Sequence, residues 1–262
     1  MTGPALLMIH GMWGRPSAFT ALRADLEAAG IRSAAVTLPF HDVPAGAPPP
    51  DGLGTTRLAD YVAAVERDAA ALDGRAVLLG HSMGGLLAQL LASRIQPAGL
   101  ILLSSAPSAQ AAGGAATSVA TIRTLCRILG RKWGWWNKAI RLDEDIARES
   151  IFNGVPDSET NPALADLTWD SGAALRQMAA PFLDPDKGSR VVYERLTMPS
   201  LVIAGRDDRI VDPAVSRKTA RLLAAAGGRV DYEEWPGTGH WLFHEAVRPR
   251  LVAAIARFLR SL

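Results

Sequence analysis

A single cysteine, Cys126, stands among 262 residues. That excludes an internal disulfide and a thiolate metal site, and leaves Cys126 a packing role. An excess of one charge is lacking too: 28 basic and 26 acidic side chains leave a formal net charge of +2. With no long basic tract, nothing in the chain offers an electrostatic footprint for nucleic acid. No apolar run reaches about 18 residues, and the first ten residues lack the basic start and long apolar stretch of a signal peptide, so a cytoplasmic protein with no stable membrane insertion is expected. Tyrosine is scarce, at three against seven tryptophans. Acidic residues are absent from Gly74 through Leu142.

The chain is 48% hydrophobic, enough for one large core. Six short apolar runs read as strands: Leu6–Ile9, Ala34–Leu38, Ala76–Leu79, Leu100–Leu103, Leu201–Ala204 and Val230–Trp235. Helical segments alternate with them. Ser17 to Gly30 carries a capping serine and a terminal glycine, Arg57 to Leu72 is amphipathic, and Pro213 to Ala226 follows Asp212 as N-cap. Such alternation implies a mostly parallel, doubly wound α/β sheet of about six strands. It breaks between Pro107 and Thr197, where no strand is evident and helices are expected around Val119–Leu129, Asp143–Phe152 and Pro162–Met178. The expected organisation is a core of residues 1–106 and 197–262 with a helical insertion, 107–196.

Gly80-His81-Ser82-Met83-Gly84-Gly85 follows the third strand and precedes a helical pattern. A serine on a sharp strand-to-helix turn needs a strained backbone, which requires neighbours two residues away without Cβ atoms. Gly80 and Gly84 meet that need. The Met83 N–H would then lie at a helix N-terminus, where an oxyanion is stabilised. Met12, in His10-Gly11-Met12-Trp13-Gly14 after the first strand, is the candidate for a second N–H donor. Of five histidines, His240 fits a general base, because Pro236-Gly237-Thr238-Gly239-His240 follows the last strand. His10 reads as packed, His41 as a loop residue, His81 as tied to the serine turn and His244 as a surface residue. An orienting carboxylate is expected after the fifth strand, where Asp207, Asp208 and Asp212 stand, the last already assigned to a helix cap.

With His10-Gly11-x-x-Gly14, Gly80-His81-Ser82-Met83-Gly84-Gly85, Gly205-x-x-Asp208-x-Ile210-Val211 and Gly239-His240 in place, the chain resembles compact members of the α/β-hydrolase superfamily along its whole length. The resemblance implies a helical cap after Leu103-Ser104-Ser105-Ala106-Pro107 and selects Asp208 over Asp207 as the acid. A serine nucleophile sets the chain apart from the haloalkane dehalogenases and epoxide hydrolases of the superfamily. Trp241 stands where plant hydroxynitrile lyases carry lysine. The implied activity is cofactor-free, metal-free serine hydrolysis of small-molecule esters with small to medium apolar acyl groups. Thioester or carrier-bound acyl hydrolysis is the alternative, followed by a non-catalytic ligand receptor on the same fold.

Trp13, Trp133, Trp136 and Trp241 fall in the insertion or beside these motifs and are candidate walls of an apolar pocket. Arg123, Arg127, Arg131, Lys132, Lys138 and Arg141 precede an acidic run from Asp143 to Asp170. Two oppositely charged helices facing one another account for both runs; the alternative is a basic face that recruits an anionic substrate or a membrane surface, and such a face would suit a carrier-bound thioester.

Overall fold

The computed structural model describes residues 4–44, 46–72, 76–112, 119–130 and 134–262. Six parallel strands form the sheet: β1 (Leu6–Ile9), β2 (Ser33–Ala35), β3 (Val77–His81), β4 (Gly99–Leu103), β7 (Ser200–Gly205) and β8 (Val230–Trp235). A two-residue antiparallel ladder joins β5 (Ala139–Ile140) to β6 (Asp170–Ser171) within the segment between β4 and β7. The spatial order is β2-β1-β3-β4-β7-β8. After β2 the chain returns to the far side of β1, so β1 and β3 form a switch point, where a crevice opens beyond their carboxyl ends.

The central strands β1, β3, β4 and β7 are legible as continuous apolar runs because both faces are covered. Leu7, Ile9, Leu78, Leu100, Leu102 and Val202 enter one core, and Leu6, Met8, Val77, Leu79, Ile101, Leu103 and Ile203 enter the other. The first core continues into the β4–β7 segment through Ile140, Ile146, Phe152 and Leu175. Helices α1 (Thr20–Ala28) and α10 (Arg248–Arg260) pack on the second, whereas α2 (Leu58–Ala70) and α3 (Met83–Ile95) pack on the first. Helix α3 is buried from Met83 to Ser93, as its unbroken apolar pattern requires.

Several local readings change. The second strand ends at Ala35, because the Leu38 N–H turns to His10 Nε2 (3.5 Å) and Pro39 follows. Ser17 caps nothing: Pro16–Phe19 form a 3-10 turn before α1, and the Ser17 hydroxyl donates to Asp166. The β4–β7 segment contains α4 (Ala109–Ala112), α5 (Val119–Gly130), α6 (Glu144–Ser150), α7 (Asp157–Asp166) and α8 (Gly172–Ala179). The helix expected over Pro162–Met178 is thus two helices, separated where Asp170 is drawn into the interior and pairs in the small ladder. Helix α5 turns Thr121 and Thr124 inward and leaves Ile122 half exposed and Cys126 exposed, so the cysteine does not pack. On its outer side Arg127 bonds Asp145 (2.8 Å) and Glu149, and Arg123 lies 3.5 Å from Glu149. Helices α5 and α6 therefore face each other with opposite charge; Arg131 and Lys132 lie outside the described residues. No helix among the described residues is long and apolar enough to cross a membrane.

Helix α9 (Pro213–Ala225) begins as its sequence dictates, with Pro213 at the first position and Asp212 Oδ1 accepting the Ala214 N–H at 2.8 Å. Asp212→Ala should lower unfolding free energy by about 1 kcal/mol, measured by urea titration with an unchanged m-value.

Candidate active site

Ser82 lies between the end of β3 and the start of α3 with φ 54° and ψ −123°. An L-residue reaches this region only when its surroundings enforce it. Here they do: a Cβ on Gly80 would stand 2.2 Å from the Gly84 carbonyl oxygen, and one on Gly84 would stand 2.1 Å from that of Ile9. The turn can pack this tightly against β1 only with hydrogen at both positions. Gly11 presses from the other side, where a Cβ would meet the Ser82 Cβ at 2.9 Å. The Ser82 N–H donates to Leu103 O (3.0 Å), and its carbonyl accepts from Ala106 N–H (2.8 Å), fixing the turn to the end of β4. Met83 opens α3, so its N–H has no intrahelical acceptor. Met12 sits in the facing turn, closed by Gly14 N–H to Gly11 O at 3.1 Å.

His240 Nδ1 lies 2.7 Å from Asp208 Oδ2, with both side chains almost fully buried. The other oxygen, Oδ1, accepts the N–H groups of Ile210 and Val211, each at 2.9 Å. This leaves the carboxylate one orientation. Asp207 points to solvent and Asp212 caps α9. His81 Nε2–H donates to the His240 carbonyl (3.0 Å), and the two rings stand 4.7 Å apart. Burial first, and the neighbouring His240 second, hold His81 well below the usual histidine range. His244 is buried rather than at the surface, and burial also lowers its pKa.

Ser82 and His240 line one cavity of about 30 Å³ with Met12, Trp13, Trp241 and Phe243, room for one or two waters. Two of the four candidate wall tryptophans are thus present, Trp13 and Trp241. Trp136 is not among the lining residues and packs edge-on against Trp135. Trp133 lies outside the described residues.

The sequence reading missed a second cluster, centred on Asp170. This carboxylate is fully buried and accepts from Trp13 N–H (2.8 Å), Tyr61 OH (2.8 Å), Ser171 N–H (2.7 Å) and His41 Nε2–H (3.2 Å). Asp170 looked like one more member of the acidic run. Nothing local distinguished it from Asp145 or Glu149, and only the fold brings it to the loop after β1. His41 Nδ1 lies 2.9 Å from Pro39 O, so both ring nitrogens meet acceptors and both carry protons. Burial opposes that charge, but Asp170 outweighs burial and the repulsion of Arg15, raising the His41 pKa. Burial likewise opposes the Asp170 charge, and His41 reverses it to leave the carboxyl below its ordinary value. Next to them His10, buried and facing His41, is lowered to about 3. Its Nδ1–H donates to Gly11 O (3.0 Å), and Nε2 faces the Leu38 N–H, the pattern of a neutral imidazole.

A family model described as "Alpha/beta hydrolase family" matches residues 6–255. No curated protein sequence matches the chain significantly. Among solved structures, a pyrethroid hydrolase from Sphingobium faniae JZ-2 superposes with a TM-score of 0.72 at 24% identity, over 98% of this chain and 97% of that one. A methylesterase from Arabidopsis gives 0.70 at 16% identity, over 99% and 100%. A monoacylglycerol lipase from Paleococcus ferrophilus gives 0.65 at 20%, over 99% and 96%. Each is similar in fold.

The His41–Asp170 pair sets a pH dependence. His41 has a higher pKa folded than unfolded, so its contribution is complete below about 6.5 and is lost as pH rises through the folded value. Asp170 contributes above its unfolded value and is lost as pH falls through its depressed one. His10 adds a loss on acidification from about 6.5 towards 3, where the unfolded chain takes up a proton that the folded one refuses. Asp170→Asn should cost about 3–5 kcal/mol at pH 6, and the deficit should shrink as the pH rises through the raised folded value of His41, where the wild-type pair loses its proton. Urea unfolding across a pH series from 6 upward reads this; a deficit that stays constant over the whole series would mean that native His41 is neutral.

Proposed function

The chain belongs to the alpha/beta hydrolase family, and from that premise we propose that it is a cofactor-free serine hydrolase of carboxylic esters with small to medium apolar acyl groups. One observation carries the reading: a strained serine and an Asp208-oriented His240 open onto the same small apolar cavity. In this reading Ser82 Oγ attacks the ester carbonyl, and His240 takes its proton and returns it to the leaving alcohol. Asp208 holds the imidazole in the required tautomer and stabilises the imidazolium. The N–H groups of Met12 and Met83 bind the oxyanion, and water then releases the acyl group by the same steps reversed. Residues 107–196 are the cap over a core of 1–106 and 197–262.

Ester chemistry is supported by the methylesterase and lipase among the similar structures. The thioester alternative drew on the basic stretch as a recruiter of anionic carriers. Arg123 and Arg127 are engaged with Asp145 and Glu149, which removes part of that rationale. A panel of chromogenic esters graded by acyl length, run beside matched acyl-CoA thioesters, discriminates the two: the reading expects the oxyester to be preferred.

Ser82→Ala should fold normally and lose turnover by about 10⁴-fold or more. Organophosphate labelling at any residue other than Ser82 would overturn the assignment. Asp208→Asn should cost about 10⁴-fold in kcat, and Asp207→Asn less than about tenfold. The reverse order would move the acid to Asp207.

A further inference from the structure

The cavity at Ser82 has an open side and a closed side. On the open side it shares Gly14, Ala18, Leu167, Trp241 and Phe243 with a cleft of about 540 Å³ between α1 and α7. Arg15, Glu159, Asp166 and Arg248 also line that cleft. On the closed side it shares one residue, Trp13, with a second cavity of about 10 Å³. That second space is walled mainly by apolar side chains, among them Ile128, Ile140, Ile146 and Leu175, with Arg141 and Asp143 also against it.

Trp13 is held as few side chains are. It is 4% exposed and has φ 63°, a region a bulky L-residue avoids. Both of its backbone polar groups are bound to the β4–β7 segment: its N–H donates to Asp170 Oδ2 (2.8 Å), and its carbonyl accepts from Thr168 N–H (2.9 Å). Strain of this kind persists only where the surroundings over-determine it. The indole Nε1 is buried without a hydrogen-bond partner, whereas Trp169 and Trp235 donate theirs to Ala47 O and Glu233. Burying an unsatisfied N–H is unfavourable, so the indole is held at this position by its backbone clamps and its packing rather than by its own polar group.

Resting on the ester-hydrolase reading, we infer that Trp13 is a specificity-determining residue, a fixed partition that ends the acyl compartment and confines the enzyme to the short end of the acyl range. In the acylation step the Ser82 Oγ–acyl bond forms and the bond from the acyl carbon to the alcohol oxygen breaks. The serine proton leaves with the alcohol by way of His240. The alcohol must then depart and a water must enter, while the acyl group stays on Ser82. The open, charge-lined cleft suits the departing alcohol and the incoming water. The acyl group takes the closed apolar side, where the indole stops it short of the second cavity.

The test compares wild type with Trp13→Ala and Trp13→Phe on two series, acyl length at fixed alcohol and alcohol length at fixed acetyl. Trp13→Ala should move the preferred acyl length upward, with a gain in kcat/KM of up to about fourfold per methylene that reaches the second cavity. Trp13→Phe should stay near the wild-type profile, and the alcohol series should not move. An unchanged acyl profile in Trp13→Ala, or a shift in the alcohol series instead, overturns the partition. Trp13→Leu carries the same comparison where Trp13→Ala fails to fold, as judged by thermal unfolding. Absence of wild-type turnover on every ester would instead overturn the ester-hydrolase reading. The partition is then read by calorimetry with octanoate and decanoate on Ser82→Ala and on Ser82→Ala with Trp13→Leu. Tighter decanoate binding by the double variant supports it, and equal affinity overturns it.

Discussion

The backbone at Ser82 is the constraint around which the neighbouring elements are arranged. A φ of 54° with ψ −123° is tolerated because β1, β3, β4 and α3 approach it more closely than side chains allow. The glycines at 80 and 84 are spaces that the carbonyls of Gly84 and Ile9 occupy. Such strain costs of order 1–3 kcal/mol, and the buried faces of the three strands and the helix around it supply an opposing term many times larger. The strained turn exposes the hydroxyl at the switch point of the sheet, the one place where both neighbouring loops diverge and leave room above the strand ends.

The segment between β4 and β7 reaches every part of this site. Asp170 and Thr168 clamp Trp13 in the loop after β1, and Asn153 Nδ2–H donates to Asp207 O (2.9 Å) beside Asp208. Ile151 and Leu167 line the cavity itself. The strongest of these attachments is a buried charge. An isolated carboxylate at this depth would be neutralised, but Asp170 receives four hydrogen bonds, one from a histidine whose pKa it raises. Removing any one donor leaves the others facing an under-compensated charge, so the cluster behaves as a unit and couples the inserted helices to the loop carrying Met12.

What the sequence disclosed, and what it withheld, divides along local and long-range lines. Ser82, Asp208 and His240 stood on motifs whose spacing carries its own geometry, and the four central strands β1, β3, β4 and β7 were visible as apolar runs. The Asp212 cap was readable for the same reason. Asp170, His41 and Tyr61 meet over separations of 109 and 129 residues, and each alone reads as an ordinary loop or helix residue. The face that α5 presents was also hidden. Its apolar stripe pointed to Ile122 and Cys126 as core, but these two face outward and Thr121 and Thr124 face in. Periodicity finds a helix, but its rotation is decided by partners that a local window does not contain.

Neutral histidines next to the Ser82–His240 pair complete the electrostatic arrangement. His81 sits 4.7 Å from the His240 ring, close enough that a charge on it would oppose any imidazolium forming there. Burial keeps His81 unprotonated, and its Nε2–H is spent on the His240 carbonyl, which positions the loop without adding charge. His10, on the other flank beneath Gly11, is neutral for the same reason. The one histidine driven towards its charged form, His41, faces a carboxylate of its own. Of the buried histidines around Ser82 and His240, His10 and His81 are thus held low by burial, and His41 is matched by Asp170. In the proposed mechanism, a proton leaving Ser82 settles on the His240 imidazole, whose other nitrogen faces the buried Asp208 carboxylate.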